Sequence, residues 1–206
     1  MYQKKTNRQR DQNRFYNTVL GTYDTIPSTK ELILRIKALD NLEIKALACV
    51  LYLTGGRKGE IMKHFKPCQI RESKRDDGLV FVHFTNLPVQ KKRGDMYHNL
   101  RSIPVLKSYY SEYIKIIYGY IVTNNIKDDE PLFKNGVRWA GYKIKDYLGL
   151  NPHRLRHIRA TNLGREEGYN STMLRRFFNW STQTSIARYE HYNSRDLENQ
   201  AMANLI

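Results

Sequence analysis

Apolar positions recur at helical spacing after Ser28, where Leu32, Ile33, Ile36 and Leu39 form one stripe, the mark of a helix with one buried face. Ser28 and Glu31 stand three apart at its start and predict a reciprocal cap, hydroxyl to backbone and carboxylate to backbone. A second helix runs through Leu47, Val50 and Leu51 and stops at Gly55-Gly56, because glycine accepts the left-handed backbone that ends helices. Arg57 therefore emerges at a helix end. From Leu79 to Thr85 the run Leu-Val-Phe-Val-His-Phe-Thr has the β-branched and aromatic content of a strand. Leu100 to Val105 is its partner across a hairpin whose tip is Gln90-Lys91-Lys92-Arg93-Gly94. Beyond Pro104 the chain reads as helices and short turns: Lys107 to Val122, rich in Tyr and Ile, then Asn135 to Leu148 with a weaker stripe. Asn151-Pro152 marks a further helix start, Asn as cap and Pro at the first helical position. Short helices follow around Ser171 to Phe178 and Ser181 to Tyr189, and a last one from Ser194. The expected class is α+β, mainly helical, with a small antiparallel β-sheet or hairpin.

Composition narrows the partners. A chain of 206 residues, 40% hydrophobic, can bury one core. Lys and Arg number 35 against 20 acidic residues, a formal charge of +15, which favours a polyanion through counterion release from phosphates. An anionic membrane would satisfy the same charge, but no apolar run is long enough to span a bilayer and no signal-peptide pattern is present. A cytoplasmic, DNA-associated location is expected. Lys4, Lys5, Arg8, Arg10 and Arg14 face only Asp11 across residues 1–14, so residues 1–27 are expected to be a flexible basic arm. Cys49 and Cys68 lack paired spacing, which supports neither a zinc site nor a disulfide framework; no metal or cofactor is expected.

The chemistry lies in four places: Thr54-Gly55-Gly56-Arg57-Lys58-Gly59-Glu60, His153-Arg154-Leu155-Arg156-His157, Asn179-Trp180 and Tyr189. Two arginines, a histidine, an indole donor and a tyrosine are the parts needed to hold a phosphate, spread its charge and attack it with a phenolate. A planar guanidinium donates two parallel bonds to a phosphate, as lysine does not, which suits Arg57 and Arg156 to a clamp. His153 and Arg156 fall within the first turn or so of their helix, on one face, at the end whose free N–H groups and dipole favour an anion. An imidazole at His153 suits proton transfer near neutral pH. The Trp180 indole donates a hydrogen bond but moves no proton.

In order and spacing these residues resemble the tyrosine recombinases, the phage-integrase type of site-specific DNA recombinase. The family's first motif, Thr-Gly-x-Arg-x-x-Glu, is filled by Thr54, Gly55, Arg57 and Glu60. Its second, His-x-Leu-Arg-His followed by Ala-Thr, is filled by His153, Leu155, Arg156, His157, Ala160 and Thr161. Its third is a Gly-His or Gly-Trp pair nine residues before the nucleophile; Trp180 stands nine before Tyr189, with Asn179 in place of the glycine. The match runs from about residue 28 to about residue 195.

The resemblance implies an enzyme that cleaves and rejoins double-stranded DNA through a 3′-phosphotyrosyl intermediate without metal. Tyr189 would be the nucleophile, with Tyr192 its competitor, and a hairpin lysine, Lys91 or Lys92, the general acid. It also implies a homo-tetramer on paired DNA sites. Glu60 is expected to brace Arg57 by a salt bridge and His157 to be structural. A type IB topoisomerase uses a similar set, but with lysine at the position of His153 and histidine at that of Trp180. A non-catalytic DNA-binding protein would explain the charge equally well without requiring every chemical position intact. Relatives carry an N-terminal core-binding domain; here residues 28–206 are expected to form the catalytic domain with that domain absent.

Overall fold

The computed structural model describes residues 26–88 and 100–180. Within them the order is α1 (Thr29–Lys37), α2 (Leu42–Thr54), α3 (Lys58–His64), a 3-10 turn (Pro67–Gln69), β1 (Ile70–Lys74), β2 (Val80–Pro88) and β3 (Leu100–Leu106). Four helices follow: α4 (Ser111–Thr123), α5 (Val137–Leu148), α6 (Pro152–Glu167) and α7 (Ser171–Phe178). The class is α+β, mainly helical, with a three-stranded antiparallel sheet in the order β1-β2-β3. No described helix is long and apolar enough to cross a membrane.

Local chemistry sets the boundaries. At α1 the Ser28 hydroxyl accepts from the Glu31 N–H at 3.2 Å, and the Ser28 N–H donates to the Glu31 carboxylate at 2.7 Å, which is the reciprocal cap predicted. The carboxyl of Glu31 is held below its usual range by that Ser28 N–H and then by the Ser28 hydroxyl, which donates to it at 3.0 Å. Asn41 caps α2 by accepting from the Ile44 N–H at 3.0 Å. Every residue from Ala46 to Thr54 is buried, so α2 is apolar on all sides and forms the centre of the domain, packed by α1, α4, α5 and α6. Buried Cys49 belongs to this helix, while Cys68 is exposed.

Two elements had no counterpart in the sequence pattern. β1 reads Ile-Arg-Glu-Ser-Lys and exposes all but its first residue, so no apolar alternation marks it; pairing with β2 creates it. α3 is only seven residues long, too short for its period to stand out. The helix anticipated from Lys107 starts at Ser111, after a turn through Tyr110. Between β2 and β3 the register shifts at Phe84–Leu87, where Asn86 adopts φ +52°. The Gln69 amide donates to the Thr85 and Asn86 carbonyls there, each at 2.9 Å.

The far end of α6 is anchored by polar groups. The buried Arg159 guanidinium pairs with Glu167 at 2.8 Å, donates to the Tyr110 hydroxyl and lies 5.3 Å from the Phe177 ring. Asn162 donates to the Pro27 carbonyl at 3.1 Å and the Tyr52 hydroxyl at 2.9 Å, and Glu166 accepts from the Thr29 N–H at 3.0 Å. These bonds fix α6 against α1 and α2, and with it the position of its opposite, N-terminal end.

Candidate active site

The site forms where three chain segments end side by side. α2 stops at Gly55, which has φ +54° and sits so close to α7 that a Cβ would lie 2.3 Å from Phe178 Cε1. Glycine is required there on both counts. The Thr54 hydroxyl donates to the Val50 carbonyl at 2.6 Å and accepts from the Gly56 N–H at 3.0 Å, fixing the turn that delivers Arg57. Glu60, buried on α3, then takes the Arg57 backbone N–H at 2.8 Å and its guanidinium at 3.0 Å. The bracing role expected of Glu60 is thus met by two bonds to one residue.

The second segment is the start of α6. Asn151 caps it by accepting from the His153 N–H at 3.0 Å, with Pro152 in the first turn. His153 is exposed, and together with Arg57, Lys58, Gly59, Val137, Asn151 and Pro152 it lines an open cleft of about 200 Å³. Loss of water around its ring, then the positive charges of Arg156 and Arg57, lower its pKa below the usual 6.5. Both effects favour the neutral imidazole. The His157 ring meets it edge-on at 4.6 Å, in keeping with a supporting place.

The third segment is the end of α7. Phe178 and Trp180 stack with centroids 4.5 Å apart and planes 16° from parallel. The buried Arg156 guanidinium lies 4.7 Å from the Phe178 ring and 5.7 Å from Trp180. It donates to the Gly55 carbonyl and, at 3.1 Å, to the Phe178 carbonyl. Arg156 therefore ties the turn before Arg57 to the turn before Trp180. Asn179, where the motif has glycine, adopts φ +50°, a conformation that asparagine tolerates better than other side-chain-bearing residues.

A residue that motif reasoning passed over completes the arrangement. Arg101 on β3 is buried; it pairs with Glu60 at 3.3 Å and donates to the Thr54 carbonyl at 3.0 Å and the Phe177 carbonyl at 3.1 Å. Its pKa is lowered by burial, opposed by Glu60. The signal was present in the alternation: Arg101, Ile103 and Val105 are buried while Leu100, Ser102 and Pro104 are not, so the arginine is in phase with the inward face.

Of the residues singled out in the sequence, Arg57 and His153 share the cleft, and Arg156 and Trp180 are joined through Phe178. Lys91, Lys92, Tyr189 and Tyr192 lie outside the described residues, as do the basic arm over residues 1–25, the hairpin tip and the segments after Trp180.

The family model of the phage integrase family matches residues 28–195. The chain belongs to that family. No curated protein matches it. Among solved structures, XerA recombinase gives a TM-score of 0.58 at 19% identity, over 89% of this chain and 64% of that one. XerH site-specific recombinase bound to difH substrate before cleavage gives 0.56 at 17%, over 85% of this chain and 52% of that one. Protelomerase TelA covalently complexed with substrate DNA gives 0.53 at 11%, over 96% and 70%. At these identities the likeness is one of fold. This integrase-family chain spans only 64% and 52% of the two recombinases' lengths.

Proposed function

We propose that the chain is a tyrosine-type site-specific recombinase that breaks and rejoins double-stranded DNA through a 3′-phosphotyrosyl intermediate. The observation that carries this reading is the junction itself: Arg57 and His153 line one cleft, and Arg156 bonds the carbonyls that precede Arg57 and Trp180. Arg57 and Arg156 hold the non-bridging oxygens of the scissile phosphate and spread the charge that grows on them, and loss of either would cost about 3 to 4 kcal/mol in the transition state. Neutral His153 accepts the proton of Tyr189 as the phenolic oxygen bonds to phosphorus. The bond from phosphorus to the 5′ oxygen breaks, and that oxygen takes a proton from Lys91 or Lys92. The Trp180 indole donates to a phosphate oxygen. Attack by a 5′-hydroxyl on the phosphotyrosyl bond runs the steps in reverse and joins a new strand. Paired sites held by a homo-tetramer supply the exchange partner.

The test is covalent trapping on a DNA carrying a nick next to the scissile bond. Wild type is expected to form the adduct, and Tyr189→Phe to form none while binding DNA normally, because only the nucleophilic oxygen is lost. An adduct from Tyr189→Phe that disappears in Tyr192→Phe reverses the assignment. Lys91→Ala and Lys92→Ala are compared on a 5′-phosphorothiolate substrate, whose leaving group needs no proton: the variant it rescues has lost the general acid.

A further inference from the structure

Glu60 poses an electrostatic problem that Arg101 answers. Its carboxylate, 3% exposed, holds the Arg57 guanidinium at 3.0 Å, and a buried anion that close cancels much of the charge a clamp must present to phosphate. With Glu60 and Arg57 alone, the pair would be neutral. The Arg101 guanidinium, 5% exposed, reaches the other Glu60 oxygen at 3.3 Å and returns one net positive charge to the group.

The backbone bonds of Arg101 place it in step with the clamp. It donates to the Thr54 and Phe177 carbonyls, while Arg156 donates to the next ones along each chain, Gly55 and Phe178. The two arginines thus stitch the end of α2 to the end of α7 through successive carbonyls. Arg101 is not among the residues that line the cleft, so its action on phosphate passes through Glu60 and Arg57.

We propose that Arg101 is a positioning residue of the clamp: it offsets the charge of Glu60, so that Glu60 fixes Arg57 without cancelling its pull on DNA phosphate. This rests on the recombinase reading of the site. A role confined to holding the backbone would also make Arg101 necessary for folding, and the two roles differ in what repairs its loss. Glu60→Gln keeps the shape and an accepting oxygen but removes the negative charge.

The experiment measures adduct formation and duplex DNA affinity at one salt concentration for wild type, Arg101→Met, Glu60→Gln and the double variant. Arg101→Met is expected to slow adduct formation on the order of 100-fold, and the double variant to recover at least about a tenth of wild-type rate and regain the affinity of wild type. A double variant no better than Arg101→Met in both readouts overturns the proposal. Absence of a wild-type adduct sinks the recombinase reading alone, since DNA affinity still reports whether Glu60→Gln repairs Arg101→Met. If Arg101→Met does not fold, Arg101→Lys carries the test. Burial lowers the pKa of a lysine there, opposed by Glu60 as it is for the arginine, and lysine starts lower than arginine, so cleavage by Arg101→Lys should fall off at a lower pH than wild type; superimposable profiles would overturn the proposal.

Discussion

At the scale of single residues, His153 is the cleft group whose acidity the fold adjusts. Its exposed ring sits near two guanidinium charges, and loss of water and then those charges lower its pKa. As pH falls through that value the imidazole gains a proton and ceases to be an acceptor, so the proposed cleavage should be retained above it and lost below. The acid limb of kcat/KM, which reports the free enzyme, should have its midpoint below 6.5 and disappear in His153→Gln. A limb centred above that value, or one unchanged by the substitution, would remove His153 from the proton-transfer step. Gly55 is constrained as tightly for a different reason, since left-handed backbone and the Phe178 ring both exclude a side chain.

At the scale of elements, α6 carries the site at one end and its own anchorage at the other. Asn151 fixes where the helix begins, and with it where His153 emerges. Asn151→Ala should cost about 1 kcal/mol of stability and also slow cleavage. Ser28→Ala removes a comparable cap from α1, remote from the cleft, and should cost about 1 kcal/mol with no change in cleavage rate. Urea unfolding and trapping rates on both variants make the comparison. Equal slowing by the two would mean that global stability alone governs the rate, and that the α6 start has no special place. The cap of α1, the stop of α2 and the cap of α6 were legible because each depends on residues within a few positions. β1 was not, because its existence depends on a partner strand and its residues face solvent.

At the scale of the whole molecule, the charge of +15 should make the affinity proposed for DNA steeply salt-dependent. For every phosphate that the protein ceases to neutralise, the slope of log affinity against log salt should become shallower by about 0.9. Lys4, Lys5, Arg8, Arg10 and Arg14 concentrate charge in a short stretch of sequence, so removing residues 1–14 should flatten the slope. Equal slopes for full-length and shortened protein would show that these residues do not touch DNA phosphate.

The sequence by itself determined the helices other than α3, the two main strands, the glycine turn before Arg57 and the candidates for the clamp, because period, capping and motif spacing are local. It also placed Arg101 in phase with the buried face of its strand, without saying what would meet it there. Tertiary structure alone decided that partner, Glu60, 41 positions away. It alone decided the bond from Arg156 to Gly55 across 101 positions. The physical reason is the same in both cases: periodicity reveals which side of an element leaves water, whereas a buried charge takes its partner from whichever distant segment packing brings within hydrogen-bond reach.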